Sequence, residues 1–192
     1  MVYKGDAYYI REVLGGSTGA YTYIVNRHKD NAFNLAFRIC GNREDAEEIA
    51  QDAFMKAFRA LGDYRFKAGF ATWLYRIVYN TSVSYLRTRR GEIISLEEFP
   101  SDASAFLGRT DTEEEAVREH RNELVNYALK KLNAEERALI TLYYYEEMST
   151  EEISKVTSIT RENVKIRLFR ARRKMLETIR DVEMKNEEVY NA

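Results

Sequence analysis

The chain has 192 residues, 45% of them hydrophobic and 32% charged, with a formal net charge of −1. That balance belongs to a folded, soluble protein and excludes a disordered one. The single cysteine, Cys40, cannot form an internal disulfide, and no apolar run has the length of a signal peptide or a membrane span. The expected location is therefore the cytoplasm, without membrane insertion.

Nine glycines and one proline, Pro100, leave long stretches free of breakers and predict an all-α protein. Residues 6–14 read as a short helix closed by Gly15 and Gly16. Ser17 or Thr18 is placed to cap a longer helix running to about residue 39. Its apolar positions include Ile24, Phe33, Leu35, Ala36 and Phe37, and Gly41 with Asn42 ends it. A third helix over 43–61 opens on Glu44, Asp45, Glu47 and Glu48, acids that suit the positive end of a helix. Its predicted inner face is Ala46, Ile49, Ala50, Ala53, Ala57 and Leu61. Its outer stripe is Glu48, Gln51, Asp52, Met55 and Arg59.

Residues 62–69, GDYRFKAG, form a predicted loop that interleaves aromatic and basic side chains. A fourth helix over 70–90 carries Leu74, Ile77, Val78, Thr81 and Tyr85 on its core face. Trp73, Arg76, Asn80 and Arg87 line up beside that face. Aromatics stack on unpaired bases, arginines hold phosphates and an amide reads a base edge, so stripe and loop together suit single-stranded nucleic acid. The competing reading makes Trp73 an ordinary core residue.

From residue 91 to 123 ten acids oppose three arginines, a local charge of −7. With Pro100 and small polar residues, this stretch reads as a linker. Helical patterning resumes near Glu114 or Asn122. Asn133 and Glu136 make a capping box for a helix over 134–147 that is expected to carry Leu139, Leu142, Tyr143 and Tyr145 into a second core.

Residues 148–175, MSTEEISKVTSITRENVKIRLFRARRKM, read as two helices and a tight turn. Ser149 and Glu152 form a capping box, with Met148 and Ile153 in the staple positions. After Thr157, Ser158 and Ile159, Thr160 caps the second helix. Val164, Leu168, Ala171 and Met175 recur at helical spacing, leaving Lys165, Arg167, Arg170, Arg172, Arg173 and Lys174 outward. Over residues 161–180 eight cations oppose two anions, a local +6 that suits phosphate neutralisation and base contacts in a major groove. Ser158 stands where the turn prefers glycine, at a cost of roughly 1 kcal/mol if left-handed.

His28 and His120 lack ligand spacing and are expected at the surface. With no Cys/His cluster, glycine-rich phosphate loop or nucleophile elbow in the sequence, no catalytic residue, metal or cofactor is expected, and the chain is not expected to be an enzyme.

Three segments carry a family resemblance: DAEEIAQDAFMKAFRAL, then FATWLYRIVYNTSVSYLRTRR, then the helix-turn-helix with its ENVKIRLFRARRKM ending. In this order and spacing they resemble a bacterial RNA polymerase sigma factor of the extracytoplasmic-function (ECF) class, the minimal two-domain kind. The resemblance implies a region 2-like domain over 1–90, an acidic linker over 91–122 and a region 4-like helix-turn-helix domain over 123–192. It implies core-polymerase binding through the beta-prime clamp helices by Glu48, Gln51, Asp52, Phe54 and Phe58. It implies recognition and melting of the minus-ten element by Lys56, Tyr64, Arg65, Trp73, Arg76 and Asn80. Arg161, Lys165, Arg167 and Arg170 would then contact the minus-thirty-five duplex. Further implied partners are promoter DNA, the polymerase beta flap and an anti-sigma factor. The rival reading is a stand-alone dimeric helix-turn-helix regulator. It uses residues 148–175 but leaves the 73–80 stripe and the Gln51–Asp52 face without a task.

Overall fold

The computed structural model describes residues 4–89 and 113–190, with side chains placed through 184 and from 117 in the second segment. The acidic stretch between them, including Pro100, lies outside the described residues, as does Arg90. Every described regular element is helical, in the order α1 (Asp6–Leu14), α2 (Tyr21–Cys40), α3 (Arg43–Arg59), α4 (Phe70–Arg89), α5 (Glu113–Lys130), α6 (Ala134–Tyr144), α7 (Thr150–Thr157) and α8 (Arg161–Tyr190). Short 3-10 turns at Thr18–Ala20 and Leu61–Asp63 complete the set. α5 begins at Glu113, beside the earlier of the two starts read from the sequence, so residues 113–122, the end of the expected linker, are helix.

Helices α1 to α4 form the first domain. The C-terminus of α2 is closed by Gly41 at φ 80°, a left-handed residue that glycine adopts without a Cβ clash. Asn42 then caps α3 by accepting from the Asp45 amide at 2.9 Å. The alanine-rich inner face of α3 is fully packed: Ala46, Ile49, Ala53, Ala57 and the following Leu61 are buried. Small side chains let α3 lie close to α2 and α4, and a bulky replacement there would overpack the seam. The predicted cap on α2 differs. Neither Ser17 nor Thr18 caps it, because a 3-10 turn intervenes and Ala20 takes the N-cap position. His28 is also not at the surface. It is 8% exposed, with Nε2 3.0 Å from Asp6 Oδ2, and Arg27 Nη1 donates to the same carboxylate at 2.5 Å. Asp6 thereby pins α1 to α2, at an energy no sequence period signals.

Helices α5 to α8 form the second domain. The capping boxes at Asn133 and Ser149 both close as expected, with Glu136 and Glu152 reaching back to the cap amides at 2.9 Å. Ser158 is left-handed at φ 59°, so the α7–α8 turn holds the strain anticipated for a non-glycine residue. Leu139 and Leu142 are buried, but Tyr143 and Tyr145 are exposed, against expectation. α6 ends at Tyr144, one turn earlier than its pattern suggests, and its last tyrosines therefore leave the core.

The two domains touch. α7 packs on α4, and α6 packs on α2 and touches α4. α4 is consequently buried along two stripes: Leu74, Val78 and Thr81 face the first core, while Tyr75, Tyr79 and Ser82, one residue further on, are buried as well.

Candidate nucleic-acid and polymerase interface

Three surfaces gather the residues singled out above. The first is the outer face of α3. Glu48, Gln51 and Met55 are exposed there and Asp52 is half-exposed. Asp52 Oδ2 meets Lys56 Nζ at 2.7 Å, and the same ammonium reaches Thr81 Oγ1 at 3.3 Å. Lys56 therefore spans from α3 to α4 rather than standing free for a phosphate. Phe58 is exposed and packs edge-on against Tyr21, with ring centres 4.9 Å apart. Phe54 departs from expectation: at 8% exposure its ring belongs to the domain core, and its carbonyl accepts from the Tyr21 hydroxyl at 2.8 Å. Burial of that hydroxyl pushes the Tyr21 phenol well above its ordinary range, so it remains a donor.

The second surface is the loop before α4 together with the outer stripe of α4. Tyr64 is buried, and its hydroxyl donates to the Ala68 carbonyl at 2.6 Å, which ties the loop into a compact turn. Its ring contacts Phe66 at 4.7 Å, Trp73 at 5.2 Å and Phe70 at 5.7 Å. Tyr64 and Trp73 thus form the floor of an aromatic cluster; Trp73 is only partly buried, so the core and surface readings each describe one side of its ring. Arg65 in the same loop and Arg76 and Asn80 on α4 are exposed. Phe66, read from the sequence as a bulky residue of this loop, was not given a role of its own there. It is left-handed at φ 57° and exposed, and the Arg11 guanidinium sits 5.6 Å from its ring centre. An exposed aromatic in a strained backbone is a mark of a working surface.

The third surface is α8. Thr160 Oγ1 accepts from the Asn163 amide at 3.4 Å, and Val164, Leu168 and Ala171 are buried as predicted. The cations divide into two groups. Arg167 is held by Glu135 at 2.7 Å, Lys174 by Glu136 at 3.1 Å and Arg173 by Glu177 at 2.8 Å. Arg161, Lys165 and Arg170 are exposed and make no ion pair among the described residues. On the face opposite Val164 and Leu168 stand Ile166, 47% exposed, and Phe169, 64% exposed. Neither was singled out from the sequence, although both fall off the buried period and so were legible as outward apolar groups. Apolar side chains set among cations on one face of a helix have the chemistry to meet a thymine methyl.

Beside the α7 cap, Tyr143, Tyr144, Glu147, Met148, Ser149 and Glu152 line an open hollow. Glu152 accepts from the backbone amide and hydroxyl of Ser149, which hold its carboxyl below the ordinary range. Among the described residues no group of three or more His, Cys, Asp or Glu side chains is placed to hold a metal ion. No described helix is long and apolar enough to cross a membrane.

The comparisons with known proteins agree with this geometry. Residues 24–92 match the Sigma-70 region 2 family and residues 122–175 match Sigma-70, region 4. The chain is 31% identical to the ECF RNA polymerase sigma-E factor of Escherichia coli, over 87% of this chain and 90% of that protein. It is 30% identical to the RNA polymerase sigma-H factor of Pseudomonas aeruginosa, over 87% and 90%. With the ECF RNA polymerase sigma factor SigW of Bacillus subtilis it shares 28% identity, over 90% of this chain and 96% of that one. Among solved structures, CnrH in complex with the cytosolic domain of CnrY shares the fold. Its TM-score is 0.66 at 23% identity, covering 93% of this chain and 99% of that one. The sigma factor RpoE of Bartonella quintana, crystallised with the anti-sigma factor NepR, gives a TM-score of 0.65 at 22% identity, covering 83% and 96%. Two family segments in the right order, each laid on its own helical domain, place the chain: it belongs to the ECF family of RNA polymerase sigma factors.

Proposed function

We propose that this chain is a transcription initiation factor that binds core RNA polymerase and directs it to promoters, with the labour divided between its two domains. The outer face of α3, with Glu48, Gln51, Asp52 and Phe58, meets the beta-prime clamp helices. The aromatic floor of Tyr64 and Trp73, with Arg65, Arg76 and Asn80 above it, captures the unpaired strand of the minus-ten element. Lys165, Arg170 and Arg161 on α8 contact the minus-thirty-five duplex, with Arg167 released from Glu135 to join them. The tyrosine-lined hollow at the α6–α7 turn offers an apolar surface to the beta flap. An anti-sigma factor would act by covering one of these faces.

The observation that carries the proposal is the pairing of two dissimilar surfaces in one chain. One is aromatic with few cations and suits unpaired bases; the other is a capped cationic helix and suits a groove. Melting needs no catalytic group, since a base held in a pocket offsets an unstacking cost of a few kcal/mol. A stand-alone dimeric regulator would need only the second surface. Run-off transcription with core enzyme on a promoter library tests the proposal. Promoter-specific transcripts that require the chain are expected; duplex binding without any polymerase-dependent transcript would favour the rival.

A further inference from the structure

Phe66 stands in a backbone conformation that its residue type disfavours, and part of what holds it there comes from another helix. A bulky side chain at φ 57° crowds its own backbone, and such residues persist only where their surroundings over-determine them. The loop supplies one constraint. Tyr64 closes on the Ala68 carbonyl at 2.6 Å, and its ring centre lies 4.7 Å from that of Phe66. A second constraint comes from α1, far earlier in the chain. The Arg11 guanidinium sits 5.6 Å from the Phe66 ring centre, inside the cation–π range of about 6 Å. Arg11 is exposed and makes no ion pair among the described residues.

A loose helix could not hold a ring in place, and α1 is not loose. Ile10 and Val13 are buried, and Asp6 binds Arg27 and His28 of α2. Tyr9 stacks on Tyr23 with ring centres 4.6 Å apart. The same anchor reaches the floor of the capture site. The His28 ring lies 5.3 Å from Phe70, which lies 5.7 Å from Tyr64 and 5.5 Å from Trp73. Burial, with the Asp6 carboxylate nearby, holds the Tyr64 phenol above its ordinary range. α1 also touches the Leu61–Asp63 turn that leads into the loop. One helix thus braces both the aromatic floor and the exposed ring beside it. It lies ahead of residue 24, where the matched region 2 segment begins.

We propose that Arg11 is a positioning residue for strand capture: from α1 it holds the Phe66 ring in place beside the Tyr64–Trp73 floor before any strand arrives. The proposal rests on the strand-capture reading above. Phe66 is 43% exposed, so ring surface remains open to an unpaired base. Apparent affinity for that base is the intrinsic affinity reduced by the fraction of loops with the ring in place. A ring ordered in advance adds no ordering cost when the base binds. Arg11 acts through Phe66 and does not itself meet the strand.

The test uses holoenzyme assembled from core RNA polymerase and the full chain. The probe is a labelled oligonucleotide copied from the non-template minus-ten strand of a promoter selected by run-off transcription. Phe66→Ala should weaken binding about tenfold, within the worth of one stacked base. Arg11→Ala should weaken it about two- to fivefold, the worth of an exposed cation–π contact, and Arg11→Lys should restore part of the loss. Because Arg11 works through the ring, the double variant should bind no more weakly than Phe66→Ala alone. A scan with one abasic nucleotide at each position separates positioning from general stability. At the position that meets Phe66, removing the base should cost less in Arg11→Ala than in wild type; elsewhere the costs should be equal. Additive losses, or abasic costs identical in wild type and Arg11→Ala, would overturn the proposal. So would a salt slope that falls by about one in Arg11→Ala, which would make Arg11 a phosphate contact instead. Failure of wild-type holoenzyme to hold any such strand would overturn the strand-capture reading and the proposal with it.

Discussion

The outer faces of α3 and α8 are both charged, yet they satisfy their charges in different ways. On the exposed face of α3 the pairs lie within the helix, Asp52 with Lys56 and Arg43 with Glu47, each four residues apart, while the more buried Asp45 is held by Arg89 of α4. On α8 two of the cations are held by another helix, since Glu135 and Glu136 in the first turn of α6 reach Arg167 and Lys174. Pairs within a helix keep a face near neutral wherever the helix goes and suit a protein partner. Pairs borrowed from a neighbour hold cations in position until a polyanion competes for them, which suits DNA.

The largest expected effect separates the two sides of α8. Leu168→Ala removes a buried side chain and should cost about 2–5 kcal/mol of stability in denaturant unfolding. Its neighbour Phe169, exposed to solvent, should leave unfolding almost untouched when changed to Ala while weakening duplex binding. Equal stability losses at both positions would break the one-sided description of this helix.

Next come the faces themselves. Arg170→Ala should cost about 1–3 kcal/mol of duplex affinity with relaxed specificity at one base pair if it reads a base. If it touches phosphate only, binding should weaken evenly and the salt slope should fall by about one. Asp52→Lys should leave the fold intact, since an exposed i,i+4 pair contributes about 0.3–0.5 kcal/mol, yet abolish competition for core enzyme. Normal competition by this variant would remove α3 from the polymerase surface.

Much of this was readable in the sequence because capping boxes and single apolar stripes are local signals. Ser149 with Glu152, Asn133 with Glu136 and the alanine face of α3 all fold as their spacing implies. Reading one stripe per helix fails where a helix has two neighbours. Tyr75 and Tyr79 belong to a second stripe on α4, offset by one residue, that is buried as well, with Tyr75 between Asn31 of α2 and Glu146 of the second domain. Phe54 and His28 were misplaced for a related reason. Phe54 adjoins the alanine face and is drawn into the core beside Tyr21, while His28 is buried by its pairing with Asp6 on another helix. The candidate site was legible as residue types; which cations are held and which are free depends on α6, more than twenty residues away.

Smaller effects refine the turn between α7 and α8. Ser158→Gly should raise the thermal stability of the second domain by about 1 kcal/mol, by relieving a left-handed serine. The Glu152 carboxyl is held below its ordinary value of 4.5, so its contribution is present above that pH and is lost as pH falls through the lowered value. Acid unfolding of Glu152→Gln should therefore depend less on pH in that range than acid unfolding of the wild type. Parallel profiles would mean that the cap adds nothing through its charge.

The single thiol gives the molecule a clock of its own. Cys40 ends α2 next to the carbonyl that Arg137 seeks, and burial pushes it up to about 11. At pH 7 only roughly one molecule in ten thousand then carries the thiolate, against about one in thirty for a free cysteine. Cys40 is only partly buried, so its alkylation should be slowed by the raised pKa and should quicken as pH rises toward about 11. A chain with no added label thus reports, through the rate at which one native atom reacts, the surroundings of the C-terminal end of α2.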